Sequence, residues 1–201
     1  MKITFTAKEI KEIIIATVVL SLAFAIADSR ESILKASLLE NSFVISLIAV
    51  GIGFIAHELI GHKITAQRYN YHAEFRAWKI GLVVALLFSF GGFVFAAPGA
   101  VFIAARPDLW GEAKPIPRKK YGIISLAGPA VNVIFALVFY AIGTMSPLVL
   151  WKMATSINIW LALFNMIPIP PLDGSKVFAW DRRVFLASIA VIIGIFYFTV
   201  I

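Results

Sequence analysis

Residues 55–63 read Ile55-Ala56-His57-Glu58-Leu59-Ile60-Gly61-His62-Lys63, two imidazoles and a carboxylate set inside an apolar run. Ionisable groups at membrane depth are costly, and they persist where a partner or an ion compensates them. In the His-Glu-x-x-His pattern two histidines four apart share one helical face and hold Zn²⁺, while the glutamate acts as general base. Here the histidines are five apart. Five residues of an α-helix turn roughly 500°, which leaves the second ring about 100° beyond the four-residue position. A π-type turn absorbs one extra residue, and Gly61 beside the second histidine lowers the backbone cost. The spacing therefore predicts a π-turn between His57 and His62. Without that chemistry the same residues would be the polar end of a membrane helix, a reading that the rarity of intramembrane charge disfavours.

The surroundings are those of a membrane protein. Hydrophobic residues make up 61% of the 201 residues and charged ones 14%, too little polar surface for a soluble core of this size. Long apolar runs are spread from end to end, so residues 1–201 read as a single integral membrane domain with the lipid bilayer as solvent. There is no cysteine, which excludes a disulfide framework and a thiolate metal site; any zinc must use histidine and carboxylate ligands. The net charge of +7 sits in loops between apolar runs, a pattern of membrane orientation rather than of nucleic-acid binding.

Taken in order, residues 13–27 form an uncleaved first span, followed by a polar connection that includes Asp28, Arg30, Glu31, Lys35 and Glu40. The second span, 43–67, carries His57 past its midpoint. Residues 80–105 are apolar but broken by Gly91-Gly92 and Pro98-Gly99, which suggests a re-entrant path. The distribution of positive charge supports a return. The loop with Arg106, Lys114, Arg118, Lys119 and Lys120 would otherwise lie opposite the basic stretch 63–79, against the positive-inside rule. Further spans then fall near 121–142, 148–167 and 184–201. The expectation is an all-α polytopic membrane protein of five to six transmembrane helices with one re-entrant segment, multi-pass in the cell membrane, with the N-terminus and the mouth of the site on the cytoplasmic side.

Two motifs lie in the second half. Ala127-Gly128-Pro129-Ala130-Val131-Asn132 puts small residues, a kink and one carboxamide into a span; it serves either close helix packing or the site. Asn165-Met166-Ile167-Pro168-Ile169-Pro170-Pro171-Leu172-Asp173-Gly174 ends a helix by its prolines and delivers Asp173 to the side of the membrane where His57 lies. Asp173 could cap the next helix, or complete a shell of two imidazoles and one carboxylate with the fourth position open.

With these residues in view the chain resembles the site-2 proteases, the intramembrane zinc metalloproteases of peptidase family M50, and its short form is similar to the archaeal members. His57-Glu58 with His62 resembles the family's zinc-binding helix, Gly128-Pro129-Ala130-Val131-Asn132 its G-P-x-x-N span, and Asn165 to Gly174 its N-x-x-P-x-P-x-L-D-G motif. The stretch Phe90-Gly91-Gly92-Phe93-Val94 is similar in place to the family's re-entrant β-hairpin, which implies that Gly91, Gly92, Phe93 and Val94 hold substrate as an added strand. The resemblance implies peptide-bond hydrolysis within the membrane, on transmembrane protein substrates and in regulated proteolysis. One Zn²⁺ would be held by His57, His62 and Asp173, with Glu58 as the base and Asn132 and Asn165 orienting substrate or stabilising the oxyanion. His72 and Glu74 are spare ligand candidates. Two other classes fit the polar residues: an inactive relative that binds membrane segments, and a small cation transporter, for which an internal repeat is expected and none is found. Nothing in the sequence fixes the oligomeric state.

Overall fold

The computed structural model describes residues 4–29, 36–107, 111–146 and 148–200. Helix α1 (Ala7–Ser29) is followed by α2 (Ala36–Ile55), which runs without interruption through a π-helical segment (Ala56–Ile64) into the short α3 (Thr65–Arg68). Strand β1 (His72–Ala77), helix α4 (Lys79–Ser89) and strand β2 (Gly99–Ala104) come next. The chain ends with α5 (Arg118–Met145), α6 (Val149–Asn165), α7 (Asp173–Trp180) and α8 (Arg182–Val200).

Among the described residues, four helices are long and apolar enough to cross a membrane: Ala7–Ser29, Asn41–Arg68, Arg118–Met145 and Arg182–Val200. Apolar all round, they can face lipid as readily as one another. Along α8 only Phe185 and Ile192 are buried, while Leu186, Val191, Ile193, Tyr197 and Phe198 face outward, a surface water would not tolerate. The expected span at 148–167 is α6, whose 17 residues are at the short limit for crossing. In the polar connection expected after the first span, Arg30, Glu31 and Lys35 lie outside the described residues.

The stretch 80–105 corrects one expectation. Gly91, Gly92, Phe93 and Val94 are not a strand. The amides of Gly91 and Phe93 donate to Phe88 O at 3.0 and 3.3 Å, and that of Gly92 to Ser89 O at 2.9 Å, so they close the end of α4. Gly92 sits at φ +80°, a conformation that glycine adopts freely and that stops a helix. Phe93 then packs edge-on against Trp160, ring centroids 5.3 Å apart. The extended segment is β2, and its antiparallel partner β1 comes from the stretch read as a basic loop; Phe75 lies opposite Val101, and Ala77 opposite Gly99.

Helix α5 is the centre of the bundle, against α6, α7 and the π-helical segment. Small residues set that approach. A side chain on Gly61 would strike the Gly128 backbone, Cα at 2.5 Å, so the two helices meet glycine to glycine.

Candidate metal centre

His57 and His62 share a face because the helix widens between them. Residues 56–64 are π-helical, as the spacing predicts, and the two rings stand edge to face with centroids 4.7 Å apart. Their Nε2 atoms are 3.0 Å apart. Asp173 reaches them from α7 after the proline-rich turn, its Oδ2 lying 3.1 Å from His62 Nε2 and 3.3 Å from His57 Nε2. All three side chains are buried. Tetrahedral ligands at about 2.0–2.1 Å from zinc lie about 3.3–3.4 Å from one another, so this triangle needs only a slight opening to fit the ion. Among the described residues these are the ones whose histidine and carboxylate atoms form such a group.

Each of the three candidate ligands is braced from behind. His57 Nδ1–H donates to Asn132 Oδ1 at 2.5 Å, and His62 Nδ1–H to the carbonyl of Ile124 at 2.9 Å, which leaves both Nε2 lone pairs turned to the common centre. Pro129 lies in the same helical turns of α5 and has no amide for the Ser125 carbonyl, which loosens the ladder where the imidazoles press in. Asp173 Oδ1 has Lys176 Nζ at 3.5 Å, and that ammonium also donates to the Pro171 carbonyl.

Asn132 is therefore placed differently from the expectation that it meets substrate. It is fully buried behind His57, with its Nδ2 donating to Gly53 O at 3.1 Å and to Asn158 Oδ1 at 3.0 Å. Asn165 does line the cleft, anchored by Nδ2 to Leu161 O at 2.9 Å. Glu58 is buried on the same cleft as the three ligand groups, and its Oε2 accepts the Val101 amide of β2 at 3.1 Å. The cleft measures about 480 Å³ and runs along β2 from Gly99 to Ile103. His72 is exposed on β1, and Glu74 accepts from Thr6 and Arg76, so neither joins the centre.

Asn158 and the Ile124 carbonyl were not foreseen. For Asn158 the signal is a carboxamide in an apolar run, seven residues before Asn165 and so on one helical face with it. For a backbone carbonyl there is no signal in the sequence.

Residues 45–148 match the family model described as Peptidase family M50. Over 183 residues the chain is 39% identical to a Methanocaldococcus jannaschii protein named "putative zinc metalloprotease", an alignment that covers 88% of this chain and 86% of that one. A protein of Synechocystis with the same name is 32% identical over 121 residues, covering 50% of this chain and 31% of the longer relative. No solved structure matches.

Proposed function

Because the chain belongs to peptidase family M50, we propose that it is an intramembrane zinc metalloprotease that hydrolyses peptide bonds in or near transmembrane segments of other membrane proteins. The observation that carries this reading is the π-helical segment, which brings His57 and His62 to one point with Asp173 while Glu58 faces the same cleft.

His57, His62 and Asp173 would hold one Zn²⁺, with Asn132 and the Ile124 carbonyl fixing the tautomer and angle of the two rings. Bound there, zinc supplies a Lewis acid for the scissile carbonyl and makes a water acidic near neutral pH. Glu58 takes that proton on its carboxylate and hands it to the leaving nitrogen. Asn165, which lines the cleft, orients the substrate backbone.

The substrate-holding strand is assigned to β2 instead of Gly91–Val94. Phe75 and Val101 face each other in the register, and Val101 directs its amide away from β1 into the cleft. Such a pair is of the non-hydrogen-bonded kind, so the amides of Gly99, Val101 and Ile103 point away from β1 along the site, and a substrate strand adds there by displacing Glu58 from the Val101 amide. A helical substrate hides its carbonyls in its own hydrogen bonds; laid on β2 as a strand, it exposes them. The positive-inside rule places the N-terminus and the mouth of the cleft in the cytoplasm, and residues 1–201 act as one membrane domain.

Cleavage of a single-span substrate in proteoliposomes tests the proposal. Wild-type protein should cut it, a chelator should stop the reaction and zinc restore it. Glu58→Gln should keep the metal and cut nothing, because it preserves shape and removes the base. Undiminished cleavage by that variant would end the assignment.

A further inference from the structure

A two-stranded sheet has two open edges, and here both are met by carboxylates. On the outer edge, Phe75 N–H donates to Glu9 Oε1 at 2.9 Å and Ala77 N–H to Glu12 Oε2 at 2.8 Å. On the inner edge, Val101 N–H donates to Glu58. Phe75 and Val101 are opposite each other, so one rung of the sheet runs from Glu9 on α1 to Glu58 beside the ligand His57. The ring is closed by Lys63, which follows His62 and places its Nζ 2.7 and 2.5 Å from the two Glu9 oxygens. Glu9 and Lys63 are each 1% exposed. The Phe5 ring covers the ammonium, its centroid 4.0 Å away.

A buried ion pair is a weak source of stability, since desolvation cancels much of its attraction. What this pair does is geometric: it ties α1, the sheet and the ligand-bearing helix at one point. Glu9 and Glu12, three apart, lie on one face of α1 and take the amides that a strand added to β1 would need.

We propose that Glu9 and Glu12 are positioning residues of the protease, sealing the outer edge of the sheet and fixing its depth so that substrate adds only to β2, in one register against the metal ligands. This rests on the reading of β2 as the substrate-holding strand. Neither residue touches substrate; both act through the sheet. The consequence is a defined scissile bond: a sheet free to slide would present neighbouring peptide bonds to Glu58.

The test separates the hydrogen bond from the charge. Glu9→Met/Lys63→Met replaces the pair by apolar side chains of similar length and strands no buried charge. It is expected to hold zinc as wild type does, to cut more than one bond, and to raise KM roughly three- to tenfold for the lost hydrogen bond. Its Phe75 amide, which in the wild type donates to Glu9 and has no ladder partner, should exchange with deuterium faster than in the wild type. Glu9→Gln/Lys63→Met keeps an acceptor for that amide and should retain both protection and the single cleavage site. Glu12→Met, altering a side chain 23% exposed, removes the acceptor of Ala77 without a buried charge, and serves where the first variant fails to accumulate. One unchanged scissile bond, with wild-type KM and Phe75 or Ala77 protection, in Glu9→Met/Lys63→Met or in Glu12→Met overturns the proposal. So does Glu9→Gln/Lys63→Met behaving like the double methionine variant. Should the wild type cleave nothing, the protease reading fails, and amide exchange still decides whether the carboxylates clamp the sheet.

Discussion

Replacing Gly128 by alanine adds one methyl group at the point where α5 meets the His57 and His62 rings. That carbon would lie 2.6 Å from His62 Cε1 and Nε2 and 2.7 Å from His57 Cε1. Carbon atoms in contact prefer about 3.5–4.0 Å, so the rings must withdraw by roughly 1 Å or α5 must back away. Withdrawal exceeds the tolerance of about 0.2 Å on metal–ligand distances. Retreat of α5 instead takes Asn132 from His57 and the Ile124 carbonyl from His62. Overpacking of this kind costs about 1–3 kcal/mol, and borne by the metal equilibrium it weakens zinc binding roughly 5- to 150-fold. Competition against a chromophoric chelator in detergent reads this directly, with thermal unfolding of the same samples as a check on the fold. Gly143→Ala is the control on the same helix, because its methyl would meet Trp151 Cβ at an ordinary 3.4 Å. Zinc affinity of Gly128→Ala within about twofold of wild type would refute the reasoning.

Asn132→Ala should leave the cleft wall intact, yet lower zinc affinity about 10- to 100-fold, the usual effect of removing a ligand's hydrogen-bond partner; an effect on KM alone would return Asn132 to substrate. Asp173→Asn removes an anionic ligand and should lose metal and activity together, whereas retained zinc by elemental analysis would exclude Asp173 from the shell. Pro115→Cys introduces the sole thiol of the chain, and in intact cells it should react with a membrane-permeant maleimide but not with an impermeant one; labelling from outside would reverse the orientation.

The site was legible where chemistry is carried by rare residue types. Histidine, glutamate and aspartate in apolar runs stand out because lipid penalises them, and the five-residue spacing of His57 and His62 itself implied the π-turn. The apolar runs located the helices, although α1 already begins at Ala7, ahead of the expected 13–27, and α6 stops at Asn165 because the Pro168–Pro171 region unwinds its end. The sheet was harder. β1 carries His72, Glu74 and Arg76 on alternate positions, a half-exposed strand that reads as a charged loop when only polarity is counted. The Gly91-Gly92 pair marks the break correctly but ends a helix there, since glycine breaks both element types. Glu9 lies ahead of the expected first span at 13–27. Its burial depends on Lys63 and Phe75, 54 and 66 residues away, and no local pattern announces such a partner. Likewise Asn132 could be recognised as a carboxamide in a span, but whether it faced substrate or a ligand ring depended on how closely α5 approaches at Gly128.

The π-turn and the zinc shell proposed for His57, His62 and Asp173 are tested most directly by X-ray absorption at the zinc edge of the purified protein. One zinc per chain with two imidazole nitrogens at about 2.0–2.1 Å and oxygen in the remaining positions is the expected spectrum, with His62→Ala losing the metal. A shell with a single imidazole, or full zinc occupancy in His62→Ala, would contradict it.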